Sequence, residues 1–276
     1  MTEAADEDQL LEKDRVVELL GREWSDIAGL LGGLDDGGWT RRALPGWDVH
    51  DVVSHLIGTE RMLTGAALPD AADLGGPHVR NDIGRVNEAW IMALRDRPHA
   101  EQLADFRQVT AERLASLRAM SLDEFNAPSW TPAGQATYAR FMQIRVFDCW
   151  MHEQDIRATV GQPGNESGPA AEQALAEVVR AVGYIIGKLG GAPDGSSVLI
   201  RLTGPIQREL PVVVEGRARL VAALDGEPTA SLALSSSLFL RLAGGREDAQ
   251  AAGDRIELGG DADLARQLAT KLAYTL

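Results

Sequence analysis

The stretch RVFDCWMHEQDI, residues 145–156, is an apolar run that contains a stripe of polar side chains. These polar residues are spaced three or four positions apart, so they share one face of a helix with about 3.6 residues per turn. They are Arg145, Asp148, His152 and Asp155. A carboxylate and an imidazole one turn apart can bind the same metal ion, which then needs only one or two further ligands. His55 lies in a second amphipathic stretch and can supply one, so the sequence predicts a metal site between two helices.

The set of His55, Asp148 and His152 also has simpler interpretations. The spacing fits a buried Asp–His hydrogen bond or a solvated polar stripe, and a single histidine on an apolar face is usually a core residue. Two features favour a metal: the stripe interrupts an apolar helix, where unpaired polar groups are costly, and a second helix places a histidine among apolar residues. Zinc accepts such ligands and leaves a fourth position for water or substrate, although ligand type alone does not distinguish it from other divalent ions.

The composition excludes several classes of protein. The chain has 276 residues, which suits one large domain or two ordinary ones. It has no apolar run of about 18 residues, and its acidic start lacks an apolar signal segment, so neither a membrane span nor secretion is expected. The single cysteine, Cys149, excludes an internal disulfide and predicts a cytoplasmic protein. A formal net charge of −14 disfavours nucleic acid and anionic membranes as partners.

The first half of the chain has helical periodicity throughout. The spacing of apolar residues predicts helices over about 9–34, about 48–63, about 83–120 with a break near 97–98, and about 138–160. Asp48 is a candidate N-cap for the second helix, with Asp51 supporting the dipole in its first turn. Four helices with one long crossover predict a four-helix bundle, a fold that places metal sites between facing helices.

A boundary follows at residues 161–169, GQPGNESGP, because glycine and proline there cannot continue a helix. Beyond it, the pattern predicts a helix over 171–189, strands over 197–202, 209–214, 218–223 and 229–234, a helix over 235–242, a strand over 255–258, and a closing helix over 262–276. The predicted domains are therefore a helical domain, 1–161, and a small α+β domain, 170–276.

Several other polar and aromatic residues are given no ligand role. Glu60 and Glu153 are expected at the surface, as is His78, which lies beside a proline. Trp47 is expected to be a core or loop anchor. Asp155 could orient a ligand imidazole by accepting a hydrogen bond, or it could pair with an arginine.

Two segments carry a resemblance to a known family. LPGWDVHDVVSHL, residues 44–56, and the pattern R-x-x-D-x-x-x-H-x-x-D-I, residues 145–156, resemble the metal-binding domain of mycothiol-dependent maleylpyruvate isomerases. That domain belongs to the DinB-like four-helix-bundle superfamily, and the resemblance covers roughly residues 10–161. The second half, through ASLALS at 230–235, LAGGR at 242–246 and GDADLA at 260–265, is similar to the sterol-carrier-protein-like α+β domain of the same proteins.

The resemblance implies a zinc ion held by His55, Asp148 and His152. The isomerases have glutamate at the acidic position, whereas this chain has Asp148, whose side chain is shorter by roughly 1.5 Å. Metal binding is expected to survive this difference. The isomerases also use an arginine from the C-terminal domain, for which Arg246 is the candidate, with Arg241 and Arg255 as alternatives.

The function expected from this resemblance is that of a metal-dependent and mycothiol-dependent enzyme. The metal would stabilise the low-molecular-weight thiol as thiolate, which would attack an electrophilic small molecule. The outcome would be cis-trans isomerisation or S-transfer, and Arg145 or Arg246 could hold a substrate carboxylate. The alternative is a non-catalytic, metal-containing protein whose C-terminal domain binds an apolar ligand or a partner. The chain is expected to act as a monomer or homodimer.

Overall fold

The computed structural model describes residues 3–70 and 76–275, which divide into a helical unit, Met1–Gly164, and an α+β unit, Asn165–Leu276. The division falls inside the glycine-rich and proline-rich segment at 161–169. None of the helices in these described ranges combines the length and the apolar character that crossing a membrane requires.

The helical unit consists of helices and two short hairpins. The helices are α1 (Glu3–Gly32), α2 (Asp36–Trp39), α3 (Val49–Leu63), α4 (Asp82–Leu94), α5 (His99–Ala119), α6 (Leu122–Phe125) and α7 (Tyr138–Val160). The hairpin strands are β1 (Arg42–Leu44) with β2 (Trp47–Asp48), and β3 (Pro128–Thr131) with β4 (Gly134–Thr137). Helix α1 packs against α5 and α7, and α3 packs against α4, α5 and α7. One apolar core fills the space between these helices.

Local chemistry explains where α3 and α7 begin and end. Asp48 caps α3 as predicted, because its side chain accepts from the Asp51 amide while the Asp51 side chain accepts from the Asp48 amide. Thr137 caps α7, and Gly161 ends it in the left-handed region at φ 71°. The two helices that carry the ligand candidates therefore have defined ends.

The remaining differences from the predicted elements are local. The predicted third helix is broken as expected, since Pro98, which has no amide hydrogen, occupies the N-cap of α5. The two hairpins were not predicted, because strands of two to four residues are too short to show an alternating pattern.

The α+β unit contains one sheet and several helices. Its strands are β5 (Ser197–Thr203), β6 (Arg208–Glu215), β7 (Arg217–Leu220), β8 (Ala230–Ser235) and β9 (Glu257–Gly260), in the order β7-β6-β5-β8-β9. Only the β5–β8 pair is parallel. The α-helices are α8 (Pro169–Gly183), α9 (Ser236–Ala243), α10 (Ala249–Ala252) and α11 (Ala262–Ala269). A π-helical segment (Tyr184–Leu189) continues α8 to the end of the helix predicted over 171–189, and a 3-10 turn (Gly253–Arg255) follows α10. The predicted closing helix was too long, since α11 ends at Ala269, and residue 276 lies outside the described range.

Candidate metal centre

The three predicted ligands come together between α3 and α7. His55 lies in the middle of α3, while Asp148 and His152 lie one turn apart on α7. Each offers one donor atom, and the three donors lie within 4.8 Å of one another. His55 Nε2 is 3.4 Å from Asp148 Oδ2, and His152 Nε2 is 3.6 Å from Asp148 Oδ1.

These separations suit ligands that share one ion. A good N–H···O hydrogen bond spans about 2.7–3.2 Å, so the two contacts are long for direct hydrogen bonds. Two ligands that each lie about 2.0–2.2 Å from one tetrahedral zinc ion are roughly 3.3–3.6 Å apart. The two contacts reach different oxygens of Asp148, and the three donors lie within 4.8 Å of one another. The N, O, N donor set is of the kind that a divalent ion such as zinc takes, and the shorter side chain of Asp148 still brings its carboxylate next to both imidazoles.

The two imidazoles are oriented in different ways. His152 Nδ1 lies 3.2 Å from Asp155 Oδ2, so an N–H there donates to the carboxylate and leaves the lone pair of Nε2 facing Asp148. This is the orienting role considered for Asp155 from the sequence. His55 Nδ1 is buried and has no hydrogen-bond partner among the described residues.

The electrostatic environment keeps two of these groups in their metal-binding form. Burial lowers the pKa of His55, so its imidazole is neutral near pH 7. Burial alone would raise the pKa of Asp148, but the positive charge of Arg145, with contributions from His152 and His55, holds it well below its usual range. Asp148 is therefore a carboxylate, and neither His55 nor Asp148 has to lose a proton before binding a cation.

Arg145 belongs to a buried ionic network that begins at Asp148. Its guanidinium pairs with Asp148 and also donates to Glu60 Oε1, from Nε at 3.0 Å and from Nη2 at 2.6 Å. Arg113 Nε donates to the other oxygen of Glu60 at 3.1 Å, and Arg113 also donates to the Tyr138 hydroxyl. The network therefore runs without a gap from Asp148 on α7 to α3 and α5.

The surface location expected for Glu60 and Glu153 is wrong. Their side chains are 2% and 0% exposed, and Glu60 pairs with two arginines while Glu153 pairs with Arg157. No sequence spacing links Glu60 to Arg113, which is 53 residues away on another helix.

The use of Arg145 for a substrate carboxylate stays a prediction. In the structure its side chain is only 3% exposed, and its guanidinium is paired with Glu60 and Asp148.

Cys149 is a buried structural residue in this arrangement. The side chain has no exposure, and burial raises the pKa of its thiol even though Arg145 lies beside it. A thiol held in the neutral form is a poor nucleophile. Thiol chemistry at this centre would therefore need a thiol from outside the chain.

Arg246 lies in the α+β unit, just after α9. Its guanidinium donates to the Gly244 carbonyl at 2.6 Å. The alternatives Arg241 and Arg255 both pair with Glu247. The role assigned to Arg246 stays a prediction.

Sequence reasoning missed Trp47 as part of the centre. Its indole centroid lies 5.4 Å from the ring of His55 and 6.3 Å from the ring of His152. The one available signal was its position directly before the cap of the helix that carries His55. That proximity along the chain does not reveal which way the indole turns.

Comparison with known proteins places the helical unit in a family. The family model for the mycothiol maleylpyruvate isomerase N-terminal domain matches residues 20–157. Crystal structures of a mycothiol-dependent maleylpyruvate isomerase and of a point mutant of it resemble the whole chain, with TM-scores of 0.58 and 0.59 at 16% sequence identity. Both alignments cover 90% of this chain and 92% of the other, and at this identity they show a shared fold. No curated protein matches the chain.

The family match spans half of the 276 residues and contains His55, Asp148 and His152. It also contains residues 44–56 and 145–156, the two segments that carry the resemblance in the sequence. The chain therefore belongs to the family defined by the mycothiol maleylpyruvate isomerase N-terminal domain.

Proposed function

We propose that the protein is a metal-dependent enzyme that uses mycothiol to attack an electrophilic small molecule in the cytoplasm. The observation that carries this proposal is the convergence of His55, Asp148 and His152 on one point, with Asp148 partly open to solvent at 32% side-chain exposure. Its fold would be a DinB-like four-helix bundle followed by a sterol-carrier-protein-like domain. The ion would be zinc, which accepts an N, O, N donor set in tetrahedral geometry and leaves a fourth position open.

A divalent ion at this position would stabilise a coordinated thiolate at neutral pH. The protein's own residues prepare the centre for it. His55 and His152 are 6% and 4% exposed, so water is largely excluded from their side of the centre. Asp155 keeps the Nε2 lone pair of His152 turned inward, and Arg145 keeps Asp148 ionised.

The chemistry of the thiolate leaves two reactions. In an isomerase, the sulfur would form a bond to one carbon of a cis double bond conjugated to a carbonyl, and the double-bond electrons would move onto the carbonyl oxygen. Rotation about the resulting single bond and expulsion of the thiolate would give the trans product. In an S-transferase, the thiolate would displace a leaving group and remain attached.

The test is a turnover assay of the zinc-loaded protein with mycothiol. A cis-configured unsaturated keto acid tests isomerisation, which should need mycothiol without consuming it. An activated halide tests S-transfer, which should consume one thiol per product. We expect mycothiol-dependent turnover with at least one of the two. A protein that binds metal but turns over neither would contradict the proposal and favour the non-catalytic alternative.

A further inference from the structure

One aromatic side chain outside the ligand set covers both imidazoles of the centre. The indole of Trp47 makes interplanar angles of 32° with His55 and 35° with His152. The two imidazoles are 4.9 Å apart and meet edge to face at 67°. The three rings therefore form one aromatic cluster, and Asp148 is the ligand candidate that solvent reaches most.

The cluster matters most for His55. His152 is oriented by its hydrogen bond to Asp155, whereas His55 Nδ1 has no such partner in the described part of the chain. Besides the contact of its Nε2 with Asp148, the His55 ring packs against the rings of Trp47 and His152. A ligand imidazole whose ring can turn loses the alignment of its lone pair with the ion.

The indole is itself held in place from α4. Trp47 Nε1 donates to Glu88 Oε2 at 3.1 Å, and His78 Nε2 lies 3.1 Å from the same oxygen. Glu88 is buried at 5% exposure. The His78 ring packs on the backbone of two glycines, since a Cβ added at Gly46 or Gly76 would lie 2.5 or 2.7 Å from it. His78 was expected to have a surface role. The structure adds a specific contact, because His78 helps to fix the Glu88 carboxylate that holds the indole of Trp47.

We propose that Trp47 is a positioning residue for the metal centre, in which the indole fixes the ring of His55 while Glu88 and His78 fix the indole. This inference rests on the proposed function, because it requires an ion at His55, Asp148 and His152. Residues that orient ligand side chains typically change metal affinity by about 10–100-fold when they are removed. We expect an effect of that size from Trp47.

The experiment compares Trp47→Ala and Trp47→Phe with wild type, using Co²⁺ as the probe in the full-length protein. Trp130→Ala is the matched control, since Trp130 lies in the same unit, is 51% exposed and packs edge to face on Phe141. Competition with a chelator gives the affinity, and the visible spectrum of bound Co²⁺ reports its geometry. Trp47→Ala should bind about 10–100-fold more weakly with an altered spectrum. Trp47→Phe should recover part of the affinity and part of the wild-type spectrum. Trp130→Ala should have the affinity and the spectrum of wild type.

Wild-type affinity and an unchanged spectrum in Trp47→Ala would overturn the inference and leave the proposed function standing. A wild-type protein that binds no Co²⁺ would overturn both. If circular dichroism shows that Trp47→Ala does not fold, Glu88→Gln is the deciding variant, because it keeps the indole but removes the negative charge that faces Trp47, His78 and Arg95. We expect it to weaken Co²⁺ binding by about tenfold, the lower end of the range for such residues. Wild-type binding by that variant would overturn the inference.

Discussion

Replacing His152 with alanine is expected to remove the bound metal and the thiol-dependent activity together. His152 supplies one of the three donors that meet at the centre among the described residues, and its side chain is buried at 5% exposure. We expect about one equivalent of metal in the wild-type protein and less than about a tenth of an equivalent in His152→Ala after equal exposure to zinc. Elemental analysis of the purified proteins gives the result.

The matched control is His99→Ala. His99 belongs to the same unit but stacks on Trp39 at 5.2 Å and pairs with Asp36, outside the ligand set. The His99→Ala variant should retain the metal content of wild type. Equal metal in wild type and His152→Ala would show that the ion binds elsewhere. In that case, the convergence of the three donors would reflect hydrogen bonding within the protein.

Replacing Glu60 with glutamine is expected to give the largest loss of stability. Glu60 is buried and accepts hydrogen bonds from Arg145 and Arg113, so its loss would leave two guanidiniums in the core with one fewer counter-charge. Breaking a buried ion pair by removing one partner typically costs about 3–5 kcal/mol. For a unit of this size, such a loss corresponds to a decrease of roughly 6–20 °C in Tm.

Thermal unfolding followed by tryptophan fluorescence measures this effect selectively. All six tryptophans lie in the helical unit, so the signal reports on that unit without a contribution from the α+β unit. The control is Glu18→Gln, because the Glu18–Arg22 pair is exposed and such pairs contribute less than about 1 kcal/mol. A loss in Glu60→Gln no larger than that of Glu18→Gln would contradict the role given to the network.

The helices that carry the centre could be predicted because their signals are local. The polar stripe on α7, the reciprocal caps Asp48 and Asp51, and the break at Pro98 all act within a few residues of the chain. The convergence of His55 with Asp148 followed from placing two such helices side by side. These features depend on helical geometry and capping, which the spacing of residues along the chain predicts.

The supporting residues could not be predicted because their partners are distant in sequence. Glu60 meets Arg145 across 85 positions, and Trp47 meets Glu88 across 41. A glutamate late in an amphipathic helix has the same local pattern whether it is solvated or paired with buried arginines. Only the packing of α3 against α5 and α7 distinguishes these cases.

The most direct test of a thiol-activating metal centre is to add mycothiol to the Co²⁺-loaded wild-type protein. We predict a sulfur-to-cobalt charge-transfer band in the near ultraviolet and the release of about one proton per thiol bound, because a thiol that coordinates a divalent ion does so as thiolate. Mycothiol binding with neither the band nor the proton would contradict the account.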